Sequence, residues 1–236
     1  MIPRIINKVY LSHDMNLPSQ LSPATLQTAH DSWKAFNPTY EIKYWSHQDC
    51  LDYLKKVDQT YYETFLALKP YSYKCDFFRF CIVYLEGGYY SDWKQQCLYS
   101  LDSLNENDNE WISCLDTGTD YSTYYKCMGT GFFGAKKNHP ILKKTIDRII
   151  ENTKNKYYGN SCLDPTGPFL FGIIFDENKN EIKGNYIMGN FDWNNYFTMN
   201  NIKVVQHKCD GVSKDSSWEN GNNYVAMWAF REVYYC

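Results

Sequence analysis

The sequence predicts an α/β fold, a mostly parallel sheet with helices on both faces, and three observations carry that expectation. Strand-like and helix-like segments alternate from residue 4 to residue 57, the β-α-β-α order that packs helices against a parallel sheet. An apolar helix, Tyr71 to Leu85, runs into Gly87-Gly88 and then into the short strand Tyr89-Tyr90-Ser91. Two further apolar segments, Trp111 to Leu115 and Phe132 to Ala135, precede a helix that opens at Pro140. At 236 residues the chain suits one well-buried α/β domain and is short for two.

Each element has a local reason. Ile5, Ile6, Val9 and Tyr10 make Arg4 to Tyr10 a buried first strand. Ser22-Pro23 offers an N-cap with proline at the first helical position, and Leu26, Ala29, Trp33 and Phe36 form an apolar stripe that Asn37-Pro38 ends. Tyr40, Ile42 and Tyr44 alternate with Glu41 and Lys43 as in a half-buried strand. Ser46 with Asp49 reads as a capping box opening a helix toward Val57. Lys69-Pro70 separates a helix over Gln59 to Leu68 from the one over Tyr71 to Leu85. The helix at Pro140 runs to about Asn152, and Thr166 caps another that starts at Gly167-Pro168. Beyond Asn152 the chain turns rich in Asn, Gly and Lys, and Ile202 to Val205 reads as a strand.

Composition removes several classes of function. A net charge of -3 and a pI near 6.0 give no drive toward nucleic acid, which needs clustered Lys and Arg. The most apolar run, Phe77 to Leu85, is broken by Arg79 and is far below the roughly 20 residues that span a bilayer. The start, Met1-Ile2-Pro3-Arg4, passes straight into a strand and shows no signal peptide. Nine cysteines without a Cys-x-x-Cys pair indicate neither a zinc site nor a disulfide framework, and they fit a reducing compartment. The expected location is the cytoplasm. Twenty-two tyrosines suit flat sugar faces, but together with Asn, Lys and Ile they are also what AT-rich coding sequence yields, as in large DNA viruses.

The chemistry concentrates around residues 75–94. Glycines after an apolar helix let the backbone enter the left-handed region. The strand they start delivers Asp92 to its carboxyl end, where open α/β sheets bind ligands. A carboxylate there can hold a divalent cation against a diphosphate. Asp76 and Arg79 lie three apart, on one face of a helix that is apolar nearly all round. Buried charges need partners, so they form a structural ion pair or belong to a binding site, and buried charge favours the second.

These residues resemble glycosyltransferase family 32, in which a Ser-Asp-x-x-Arg helix runs into Gly-Gly-x-Tyr-x-Asp-x-Asp. Here the two halves read Cys75-Asp76-Phe77-Phe78-Arg79 and Gly87-Gly88-Tyr89-Tyr90-Ser91-Asp92-Trp93-Lys94. The opening Ile2-Pro3-Arg4-Ile5-Ile6-Asn7-Lys8-Val9-Tyr10 resembles the family's Ile-Pro-Lys-Ile-Ile-His-Gln-Ile-Trp, and Ser32-Trp33 through Asn37-Pro38-Thr39-Tyr40-Glu41 its Ser-Trp-x-x-x-Asn-Pro-x-Tyr-Glu. Gly131-Phe132-Phe133-Gly134, His139-Pro140, Thr166-Gly167-Pro168, His207 and Ser217-Trp218 follow in the family's order.

The resemblance implies a single-domain GT-A, Rossmann-like fold over residues 1–236, with 1–135 as the nucleotide-sugar-binding half and 136–236 covering the site and receiving the acceptor. It implies a retaining transferase that moves a hexose from a nucleoside diphosphate sugar to a glycan or glycolipid hydroxyl. Val9, Tyr10, Asp76, Arg79, Tyr90, Asp92, Gly131, Gly167 and Trp218 correspond to donor-binding positions, with Asp92 and Lys94 at the reacting centre. A divalent cation, Mn²⁺ or Mg²⁺, falls to Asp92 and His207. Two departures stand out: the motif's second acidic residue is Lys94, and the first strand's histidine is Asn7. Lys94 is either a solvated loop lysine or an ammonium in the cation's place. A noncatalytic sugar-nucleotide or glycan-binding protein is the alternative that Lys94 raises.

Overall fold

A computed structural model describes residues 1–116, 127–191, 195–211 and 222–235. Strand β1 (Ile5–Val9), helix α1 (Ala24–Phe36), β2 (Glu41–Trp45), α2 (His47–Val57), α3 (Gln59–Ala67), α4 (Tyr71–Glu86) and β3 (Gly88–Ser91) come first. They are followed by β4 (Gln96–Cys97), the short helix α5 (Leu101–Leu104), β5 (Trp111–Asp116), β6 (Phe132–Ala135) and α6 (Pro140–Lys154). Helix α7 (Pro168–Asn178), β7 (Tyr186–Phe191), β8 (Tyr196–Met199), β9 (Ile202–Gln206) and α8 (Tyr224–Ala229) complete the described chain.

One sheet of nine described strands, in the order β2-β1-β3-β6-β5-β7-β8-β9-β4, draws on both halves of the sequence. It is mixed, which corrects the expectation of a mostly parallel sheet. The β2-β1-β3 and β5-β7 neighbours are parallel. In contrast β6 runs antiparallel to both β3 and β5, and β7-β8, β8-β9 and β9-β4 are antiparallel as well. Connection length explains the β8-β9 pair, because a parallel neighbour needs a crossover of a dozen or more residues. Only Asn200 and Asn201 join β8 to β9, both with positive φ (49° and 63°), and that two-residue hairpin turn permits antiparallel pairing alone.

Helices cover both faces. Phe77, Phe78, Phe80, Ile141, Ile146 and Phe171, from α4, α6 and α7, pack against one face, while Trp33, Leu101 and Leu104, from α1 and α5, pack against the other. Tyr89 and Tyr90, successive residues of β3, enter opposite clusters, as the period-2 alternation of a strand requires. The Ser46/Asp49 capping box is made in both directions. Helix α1 starts at Ala24, with the Pro23 carbonyl accepting the first-turn bond from Leu26 N at 2.9 Å, so proline sits one position earlier than expected. Gly87 and Gly88 take φ of 73° and 97°, and a Cβ on Gly88 would lie 2.6 Å from the Ile5 carbonyl oxygen. Glycine is therefore required where α4 turns into β3.

His139 ends the loop before α6 with no exposed surface, its ring 4.7 Å from that of Trp111 and neither nitrogen hydrogen-bonded. Burial pushes its pKa down to about 4, with Lys136 adding to the effect and Glu110 opposing it. The folded state therefore binds fewer protons than the unfolded chain between pH 4 and 6.5. Stability from this group is complete above 6.5 and is lost as pH falls toward 4. Urea unfolding at pH 7 and pH 4.5 should show His139→Phe losing about 2–3 kcal/mol less than the natural protein over that interval. Equal losses in the two proteins would remove His139 as the cause.

Candidate active site

The site forms where β3 ends, and α4 supplies its floor. Asp76 and Arg79 are 8% and 6% exposed. Arg79 Nη2 lies 3.4 Å from Asp76 Oδ1 and 3.5 Å from Asp92 Oδ1, so one guanidinium bridges two carboxylates. Its Nη1 donates to the Thr130 carbonyl at 2.8 Å, its Nε to the Cys75 carbonyl at 3.3 Å, and its plane covers the Tyr90 ring at 4.5 Å. The planar guanidinium presents five donors in a fixed fork, whereas a lysine ammonium offers three on a single nitrogen. Burial raises the Asp76 carboxyl to about 6, Arg79 and the Thr166 hydroxyl bond oppose this, and Asp92 adds to it.

Thr166 Oγ1 donates to Asp76 Oδ2 at 2.9 Å. It does not cap α7, whose N-cap is Gly167. Its hydroxyl proton instead makes a charge-assisted bond to buried Asp76, and the cap position falls one residue later.

Tyr90 is fully buried, and its hydroxyl donates to Asp92 Oδ1 at 2.7 Å. It acts on the site through Asp92 and does not line it. The Asp92 side chain keeps 31% of its surface exposed. Oδ1 is taken up by Tyr90 and Arg79, while Oδ2 faces the space that Gly131 leaves open, where a Cβ would come within 2.7 Å of it. Asp92 N donates to the Gly131 carbonyl at 2.9 Å, which pins the two segments together. At Gly167 a Cβ would meet Asp76 Oδ2 at an ordinary 3.5 Å.

Val9 packs into the core with 4% exposure, so only its backbone is left for a ligand, whereas Tyr10 stands at the end of β1 with its ring 5.0 Å from Trp93. Trp93 also packs edge-on to His30 and Tyr44, at 4.5 Å and 5.8 Å. Lys94 is half-buried, and its carbonyl accepts from Cys209 N at 3.0 Å. His207 follows β9, its ring edge-on to Phe191 and Phe197 at 4.9 Å and 5.8 Å. Burial lowers its pKa, against the pull of Asp92. Trp218 lies outside the described residues.

Sequence reasoning missed three side chains. Lys8 has no exposed surface, and its Nζ donates to Ser91 Oγ at 3.0 Å and to the Asp92 carbonyl at 2.9 Å. Ser91 Oγ in turn reaches Gln95 Oε1 at 3.0 Å, and Gln95 Nε2 lies 3.5 Å from His207 Nδ1. A lysine inside the buried run Ile5-Ile6-Asn7-Lys8-Val9 was the available signal.

Among the described residues no three His, Cys, Asp or Glu side chains group as a metal site. One open carboxylate oxygen on Asp92 fits a hard divalent cation only if ligand oxygens complete its shell, and a diphosphate carries several. The donor set therefore fits a cation that arrives with a nucleotide. No helix of the described residues is long and apolar enough to cross a membrane.

Residues 23–111 match the family described as the glycosyltransferase sugar-binding region containing the DXD motif. An uncharacterized glycosyltransferase of Acanthamoeba polyphaga mimivirus is 25% identical over 173 residues, 72% of this chain and 63% of that protein. Inositol phosphoceramide mannosyltransferase 2 of Schizosaccharomyces pombe is 20% identical over 236 residues, 100% of this chain and 63% of its own length. The chain thus spans under two thirds of each of these relatives. The solved PaToxG glycosyltransferase superposes with a TM-score of 0.51 at 15% identity, covering 77% of this chain and 72% of that one, and shares the fold. With its mixed sheet, its helices on both faces and Asp92 directly after the Gly-Gly strand, the chain has the GT-A fold, and its residues 23–111 match the sugar-binding region of the DXD-containing glycosyltransferases.

Proposed function

We propose that this chain moves a hexose from a nucleoside diphosphate sugar to a hydroxyl of a glycan or glycolipid, with retention at the anomeric carbon. The observation that carries the reading is the Arg79 bridge. It holds Asp76 and Asp92 in one buried network and leaves a single Asp92 oxygen facing outward beside Gly131. In the transfer, the acceptor oxygen bonds to the anomeric carbon as the bond from that carbon to the diphosphate oxygen breaks. The hydroxyl proton leaves on the diphosphate, and attack and departure share one face of the sugar. The charge developing on the leaving group is the main electrostatic demand. A Mn²⁺ or Mg²⁺ held by Asp92 would supply that neutralisation as a Lewis acid. Asp76, Arg79 and the backbone at the end of β1 position the nucleotide. The S. pombe relative's name, a mannosyltransferase acting on inositol phosphoceramide, supports a hexose and a lipid-linked acceptor.

The experiment is nucleotide release from UDP- and GDP-hexoses, each with and without Mn²⁺, alone and with glycan and glycolipid acceptors. Release from at least one donor, with product in at least one acceptor panel, is expected. Lys94 in place of the motif's second carboxylate favours one rival, a noncatalytic sugar-nucleotide or glycan-binding protein. Donor binding without any release, in any combination, would establish the rival and overturn the transferase.

A further inference from the structure

A cavity of about 670 Å³ opens at the end of the sheet away from Asp92. Ala135 of β6 pairs with both Gly88 of β3 and Trp111 of β5, so Trp111 stands level with the start of β3. Asp92 follows the other end of that strand, roughly 13 Å farther along at about 3.3 Å per residue. Trp111 in turn pairs with Tyr186, the first residue of β7. The cavity is walled by α5 and the loop after it, by Gly184 to Ile187, and by Asn200 in the β8-β9 turn. Its size falls within the roughly 300–1,000 Å³ of small-molecule pockets. Asn185 Nδ2 donates to the Asn107 carbonyl at 2.7 Å and Glu110 N to the Asn185 carbonyl at 2.7 Å, which ties two of the walls together. Asn109, 2% exposed, donates its Nδ2 to the Leu104 carbonyl at 2.9 Å. Turn chemistry accounts for these amides. It does not account for Glu106 and Asn107, which line the cavity with side chains that hydrogen-bond no other described residue.

The lining selects a class of ligand. Of its ten described residues four are Asn and none is Lys, Arg or His, so nothing there neutralises a phosphate or a nucleotide. Glu106 is the single carboxylate among them, short of what a protein-held divalent cation needs. An apolar ligand would leave the amides of Asn107 and Asn200 desolvated and unpaired. A sugar hydroxyl both donates and accepts, and an amide side chain offers the two functions side by side. Leu104, Ile187 and the half-exposed Tyr186 ring give apolar surface to the C–H faces between those hydroxyls. We propose that this cavity is a second saccharide site, apart from the candidate active site, which binds a short neutral oligosaccharide and performs no chemistry. It rests on its own lining and not on the transferase reading.

The test is saturation-transfer-difference NMR of the full chain with maltotriose, mannotriose, cellotriose and chitotriose, each titrated to a Kd. At least one should bind at about 1 mM or tighter. Glu106→Ala, Asn107→Ala and Tyr186→Ala should each weaken that trisaccharide about threefold to tenfold, the scale of one net hydrogen bond or of one lost ring contact. All three side chains are exposed, so the circular dichroism of the variants should match that of the natural protein. Inorganic phosphate should not compete, since no basic side chain among the described residues lines the cavity. No trisaccharide bound at that strength, binding that survives all three substitutions, or displacement by phosphate each overturns the proposal. A trisaccharide seated beside Asp92 would survive the substitutions and so count against it. Failure of glycosyl transfer with every donor and acceptor would leave this binding as it is, so the two failures are separable.

Discussion

Arg79→Ala should abolish the stabilisation that nucleotide confers, the largest single effect expected at this site. The guanidinium holds Asp76 at 3.4 Å and Asp92 at 3.5 Å, covers Tyr90 and secures the Thr130 carbonyl next to Gly131. Its loss leaves a buried carboxylate without a counter-charge and frees Asp92 from its orientation. Breaking a buried pair by removing one partner costs about 3–5 kcal/mol, so circular dichroism must first establish that the variant is folded. Asp76→Ala should also lose nucleotide binding but cost less stability, because burial already raises that carboxyl to about 6 and removing it relieves a desolvated charge. Thermal shift with nucleotide reads both, since ligand that binds only the folded state raises its stability with affinity. A folded Arg79→Ala protein that binds donor normally by calorimetry would take the nucleotide role away from this residue.

Much of this network was legible because it is built from residues that are costly anywhere else. Two charges three positions apart in an apolar helix must meet a partner, and both do. Gly87-Gly88 announced a backbone that only glycine tolerates, and the turn has the expected positive φ at both residues. The capping box at Ser46 and the proline opening α6 were equally readable, because each acts within one helical turn. What failed to show was whatever depends on distant partners. Strand β6 enters antiparallel between β3 and β5, a pairing that nothing local specifies. Strands β4, β7 and β8 and helix α8 are short or lie in Asn-rich sequence whose pattern reads as turn. Thr166 has every feature of a helix cap, yet it spends its hydroxyl on Asp76, ninety positions away in sequence. The chain from Lys8 to His207 was invisible for the same reason, since its four members come from three separate segments.

The second large effect concerns Lys94, and it is expected in metal dependence. An Asp-x-Asp pair would place two carboxylates around one divalent ion, whereas here a lysine stands in the second position. Two unit charges about 4 Å apart at an effective dielectric near 20 interact by roughly 4 kcal/mol, an upper bound for a half-buried lysine whose field water screens. Lys94→Asp should therefore tighten Mn²⁺ in the nucleotide complex by about tenfold or more, as a repulsion of 1.4 kcal/mol or above is exchanged for an attraction. The direction follows from charge alone. Trp93 packs against Tyr10, His30 and Tyr44, which anchors the residue between Asp92 and Lys94 and leaves Asp92 with its open oxygen beside Gly131. That geometry favours a weak cation on Asp92, so turnover of the natural protein should fall in excess EDTA and return with Mn²⁺. Full turnover in EDTA, abolished by Lys94→Ala, would reverse this and make the Lys94 ammonium the group that neutralises the leaving diphosphate.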